Sequence, residues 1–217
     1  METKIEQNNL ERFFYTNPNA YTYNSRMKRK IAKSVHGNDS ERFRIAQEQI
    51  DKPAVPISQI IPLVNEILRF AGFKAIEENE AIMDPCKINY ADIKEKHHLS
   101  DERNIIWMKF TKSRHVGVVA ASNDINFDMP KDENEYNTEI RVYNNFKKAY
   151  EYKWKYNSSG IIVNAIGEQW DKRIVLVFPL EIAKLPCRYN RHEVETAIGN
   201  YLIHNNVPII DYYSHNY

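Results

Sequence analysis

Hydrophobic positions are densest in the last quarter of the chain, from about Ser159 to Tyr217, where they fall into segments of two different periods. Ile161 to Ile166 is a short apolar run and Ile174 to Leu180 (IVLVFPL) an unbroken one, the pattern of strands covered on both faces. A helical pattern follows, with Val194, Ala197, Ile198, Tyr201 and Leu202 on one side of a 3.6-residue repeat. Asn190 and Glu193 stand ahead of it at the spacing of a capping box, in which two side chains satisfy backbone N–H groups at the helix start. Asn205 and Asn206 end the helix, and Val207 to Ile210 reads as a further strand.

Upstream, a short helix is expected from about Ile5 to Phe14, with a turn at Asn17-Pro18. Ser25 to Arg44 reads as two helical pieces broken at His36-Gly37-Asn38, with Asp39 or Ser40 capping the second piece through Ile50. Pro53 and Pro56 mark a boundary, dividing a helical, basic segment (1–52) from an α+β core (53–217). Ile57 to Phe70 places Ile60, Ile61, Val64, Ile67 and Leu68 on one helical face, and Pro62 inside it predicts a late start or a kink. Lys74 to Arg103 is charged and weakly periodic, a connector with a helical piece near Tyr90 to Lys96. Asn104 to Phe110 and His115 to Ala121 flank a four-residue spacer, as in an antiparallel hairpin. An acidic loop spans Ser122 to Asn137. Thr138 to Tyr156 fits both a helical stripe and a strand alternation, and its length favours the helix. The fold class is therefore α+β: a mixed β-sheet with helices packed on it, preceded by a helical N-terminal segment.

Composition places the chain among globular proteins, since hydrophobic residues make up 42% and charged residues 27%. No apolar run reaches bilayer-spanning length and the polar N-terminus lacks a secretory core, so a cytoplasmic location and no membrane partner are expected. Cys86 and Cys187 have no ligand-like spacing and read as buried thiols. Abundant Asn, Ile, Lys and Tyr match AT-rich coding, which suggests a low-GC bacterium, a phage or a mobile element. A formal net charge of +1 means that any polyanion would have to be held by a local patch.

Two segments could form such a patch. Arg26, Lys28, Arg29, Lys30 and Lys33 make one basic window, whose bland reading is a solvated helix face. Lys147, Lys148, Lys153 and Lys155 are interleaved with Tyr150, Tyr152, Trp154 and Tyr156, a mixture suited to phosphates and stacked bases, although an amphipathic helix with its rings inward is the simpler reading. Asp124, Asn126, Asp128 and Glu135 fall at the first, third, fifth and twelfth places of a loop that resembles the calcium loop of the EF-hand family over about a dozen residues. Met129 stands where that loop has Gly, and Lys131 where an apolar residue is usual.

A nuclease or phosphodiesterase needs carboxylates and a lysine around a divalent metal ion. Glu151-Tyr-Lys153 has the Glu-x-Lys form of a large nuclease superfamily, with Asp124 or Asp128 upstream. Asp211 and His215 flank the end of the last expected strand, where catalytic groups often gather, although a polar tail explains them as well. There is no Gly-rich phosphate loop, no GxSxG elbow and no dinucleotide fingerprint. Three readings remain: a cytoplasmic protein associated with DNA or RNA, a metal-dependent nuclease or phosphodiesterase, and an inhibitor-like module whose 14 tyrosines suit contact with another protein.

Overall fold

The computed structural model describes residues 10–15, 41–84, 104–122, 163, 166–180 and 189–211. Strands β1 (Ile82–Met83), β2 (Ile105–Thr111), β3 (Val116–Ser122) and β4 (Trp170–Pro179) form one antiparallel sheet in the order β1-β4-β2-β3. The two middle strands read as continuous apolar runs because both of their faces are covered, and Ile105, Ile106, Met108, Leu176, Val177 and Phe178 are all fully buried. One face carries Ile106, Met108, Phe110, Leu176 and Phe178 against helices that include α2 (Ile57–Phe70) and α4 (Arg191–His204). The other face carries Trp107, Val118 and Trp170 under Ala46 and Ile50 of α1 (Glu41–Ile50), with Val163 and Ile210. Lys109 is also buried on this side, its ammonium 5.2 Å from the centre of the Trp107 ring and 5.7 Å from that of Trp170, where the ring faces replace part of its hydration.

The fold is thus α+β with helices on the sheet; the sheet itself is antiparallel, and the one parallel element is an isolated bridge between Val116 and Ile209. The N–H groups of Ile210 and Asp211 donate to the carbonyls of Val116 and Gly117, each at 2.9 Å. Val207 to Ile210 therefore contributes a single bridge rather than the expected strand, because the chain turns at Ile210 and Asp211. Ahead of the sheet stand α1 and the 3-10 turn Arg12–Phe14, whose Phe14 ring stacks on Tyr189 with centroids 4.0 Å apart.

Local chemistry explains where the helices begin and end. At the start of α4 the Asn190 side chain accepts from the N–H groups of His192 and Glu193, while Glu193 accepts from the Asn190 N–H at 2.8 Å. At the end of α2, Gly72 takes φ 88°, and the Phe73 N–H reaches back to the Leu68 carbonyl at 2.8 Å. Asn206 closes α4 in the same way, with φ 61° and a bond of 2.9 Å from the Val207 N–H to the Leu202 carbonyl.

A similar closure departs from the expected strand at the two described positions of the Ile161 to Ile166 run, Val163 and Ile166; its other four residues lie outside the described residues. Val163 is helical, Ile166 and Gly167 form a turn, and the Glu168 N–H donates to the Val163 carbonyl. A six-residue apolar run cannot distinguish a buried helical piece from a strand by period alone. Pro62 does not delay α2, which starts at Ile57. Pro62 and Ser58 both lie on the exposed side, where water can serve the carbonyl that lost its donor. The expected connector after Lys74 contains two small elements, α3 (Glu78–Ala81) and the edge strand β1.

The β2–β3 hairpin forms as its spacing predicts, with one irregularity. Lys109 pairs with Val118 but Phe110 with Val116, leaving Gly117 as an extra residue in β3. A Cβ on Gly117 would lie 2.2 Å from Cζ3 of the Trp170 ring, so only glycine fits. Gly117→Ala is expected to destabilise the protein by about 1–3 kcal/mol and to lower its melting temperature by several degrees. An unchanged thermal melt would mean that Trp170 does not pack there.

Candidate functional site

β4 does not run evenly beside β2. Lys109 pairs with Val175 and Thr111 with Trp170, so Phe110 alone faces the four residues 171–174. The surplus leaves the ladder as an enlarged bulge, a device that turns side chains out of a sheet. Oδ1 of Asp171 accepts from the Arg173 N–H at 2.9 Å and from its Nε at 3.0 Å, and Oδ2 accepts from Nη2 at 3.1 Å. The Asp171 side chain is only 8% exposed whereas that of Arg173 is 79% exposed, so the carboxylate holds the bulge from within and the guanidinium faces solvent. Hydrogen bonding from Arg173 outweighs burial and keeps the Asp171 carboxyl below its ordinary range, and the charge of Arg114 acts in the same direction.

The bulge lines a cleft of about 520 Å³. Val55, Pro56 and Ile57, where α2 begins, join Phe110 and Ile174 as its apolar lining, and Ser58, Glu78, Arg114, Asp171 and Arg173 supply its polar groups. Pro56 caps α2 without a side-chain hydrogen bond. Arg114, in the hairpin turn with φ 68°, has no side-chain hydrogen-bond partner among the described residues. Because β1 borders β4 on one side and β2 borders it on the other, Glu78 and Arg114 stand on opposite flanks, and the cleft has an acidic and a cationic end.

Two networks fix its walls. In the hairpin turn, His115 Nε2–H donates to the Lys52 carbonyl at 2.7 Å, which in the neutral ring leaves Nδ1 to accept from the Ser113 hydroxyl at 2.9 Å. Ser113 in turn meets the Thr111 hydroxyl at 2.8 Å, and Thr111 Oγ1 accepts from the His115 N–H at 3.2 Å. The segment leading into α2 is thereby tied to the turn that carries Arg114. On the other flank, the buried Asn65 donates to the Ile76 carbonyl and accepts from the Ile76 N–H, both at 2.8 Å, and so positions the chain just before Glu78.

This end of the sheet also gathers cations that are scattered in sequence. Lys52, Lys112, Arg114, Lys172 and Arg173 are all exposed, while the nearby acids are Asp51, Glu78, the half-buried Glu168 and the internally paired Asp171. These cations escaped the sequence reading because Lys112-Ser-Arg114 and Lys172-Arg173 are each too short to register as a basic window.

A second polar group lies at the opposite end of β2 and β3. Glu195 on α4 is buried, and burial pushes its carboxyl up to about 8 against the opposing effects of the Ala121 N–H and the Arg191 charge. His192 Nδ1 is 3.4 Å from Glu195 Oε2, and Arg191 Nη1 donates to Asn104 Oδ1 at 2.9 Å.

Of the residues singled out from sequence, the structure describes Asp211, which is fully buried with its N–H on the Gly117 carbonyl. Arg26, Lys28, Arg29, Lys30, Lys33, Asp124, Asn126, Asp128, Glu135, Lys147, Lys148, Glu151, Lys153, Lys155 and His215 lie outside the described residues. Among the described residues no three His, Cys, Asp or Glu side chains are grouped to hold a metal ion, and no helix is long and apolar enough to cross a membrane. No protein-family model, curated protein or solved structure matches the chain.

Glu195 gives a pH dependence whose sign follows from linkage. Between its ordinary value of 4.5 and about 8, the folded state holds a proton that the unfolded state has released, so stability falls as pH rises through this range. The slope from this one group approaches about 1.4 kcal/mol per pH unit. Urea melts at pH 5 and pH 8 should show Glu195→Gln flattening that fall; an identical pH profile in the variant would mean that the carboxyl titrates normally.

Proposed function

We propose that the protein associates with nucleic acid through its phosphates, as a cytoplasmic protein of a low-GC bacterium, a phage or a mobile element. The observation that carries this reading is that five exposed Lys and Arg residues, from three separated stretches of chain, lie at the hairpin end of the sheet. Such a group releases condensed counterions when it replaces them on a phosphate backbone, and no whole-surface positive charge is needed. The basic window Arg26 to Lys33, which lies outside the described residues, would be a second segment suited to the same phosphates.

The test is binding of a fluorescent single-stranded and a duplex oligonucleotide across a salt series. Affinity should fall steeply with salt. The double variant Lys112→Ala/Lys172→Ala should weaken binding to all sequences alike and reduce the slope of log K against log salt by up to about 0.9 per lysine on duplex. Absence of salt-dependent binding to any DNA or RNA removes the reading.

A further inference from the structure

We propose that the cleft bounded by the β4 bulge, the hairpin turn and the start of α2 receives a single nucleotide unit, with its phosphate at the Arg114 and Arg173 end and its base against the apolar lining. The proposal takes its ligand class from the nucleic-acid reading and its geometry from the cleft alone. Both guanidinium side chains line the cleft, and the Asp171 carboxyl lies in the field of both. The carboxylate does not cancel them equally. Asp171 uses both of its oxygens on Arg173, while Arg114 has no side-chain hydrogen bond among the described residues and can turn its donors to a ligand. A planar guanidinium suits a phosphoryl group because two N–H donors match two oxygens.

The rest of the lining fits the rest of a nucleotide. Val55, Pro56 and Ile174 offer aliphatic surface for a base or sugar face. Ser58 and Glu78 are exposed polar groups that can meet sugar hydroxyls or a base amino group, and Glu78, an acceptor, stands on the flank away from Arg114. A volume of about 520 Å³ is in the range of small-ligand sites. Neither a free phosphate nor an uncharged nucleoside would use both ends of the cleft.

The experiment is calorimetric titration of the protein with 5′-AMP, inorganic phosphate and adenosine, each with the wild-type chain and with Arg114→Gln. This substitution removes the charge while no side-chain hydrogen bond among the described residues depends on it, and a thermal melt checks that the variant is folded. AMP should bind more tightly than either fragment, and Arg114→Gln should weaken AMP about tenfold while leaving adenosine unchanged. Equal affinity for AMP and inorganic phosphate, no binding of AMP, or AMP binding indifferent to Arg114→Gln would each overturn the proposal. Oligonucleotide binding measured on the same samples separates the two readings. Polymer binding without AMP binding rejects this cleft and keeps the nucleic-acid association, whereas AMP binding without polymer binding rejects the association and keeps the cleft.

Discussion

The pairing of Asp171 with Arg173 inside β4 decides where the sheet stops being regular. Two central strands covered on both faces would ordinarily stay in register to their ends, because each step out of the ladder leaves backbone groups without partners. Here four residues of β4 stand against one of β2, and the buried Asp171 carboxylate takes up the Arg173 N–H that the ladder no longer serves. The same carboxylate anchors the Arg173 side chain, whose guanidinium would otherwise have no fixed direction. A backbone irregularity and the placement of a surface cation are thus one interaction.

The other walls of the cleft follow from the core. Trp170, immediately before the bulge, reaches across β2 to the space above Gly117 in β3, so the irregularities in the two strands that flank β2 fit each other. β3 then receives the Ile210 and Asp211 N–H groups, which brings the segment just after α4 onto the sheet. On the opposite face α2 and α4 pack together, joined by the Tyr201 hydroxyl bonding to Glu66, and this sets where the first turn of α2 meets the bulge. Burial of the sheet on both sides fixes the strands from which the turn and the bulge project.

Much of the fold was legible because it rests on local chemistry. Asn190 and Glu193 cap α4 as their spacing implied, the hairpin closed across residues 112–115, one position later than expected, and the run from Ile174 proved to be part of a central strand. What failed depended on partners distant in sequence. The Ile161 to Ile166 run looked like a strand, but at its described positions Val163 is helical and Ile166 turns into Gly167 in a left-handed conformation, and Val207 to Ile210 forms a single bridge to Val116. The two-residue strand β1 has no period to detect. The cleft was invisible for a similar reason: Arg114, Asp171 and Arg173 form no motif in the sequence, and only the register break brings them to one place.

The most direct test of the central claim, that the bulge builds a phosphate-receiving cleft, is mapping of backbone amide chemical shifts while a short single-stranded oligonucleotide is added. The account predicts that the largest changes fall on Ile57, Ser58, Arg114, Arg173 and Ile174, the residues that line the cleft. Shifts that leave these amides unmoved and fall instead around Glu195 and Arg191, at the far end of the sheet, would contradict it.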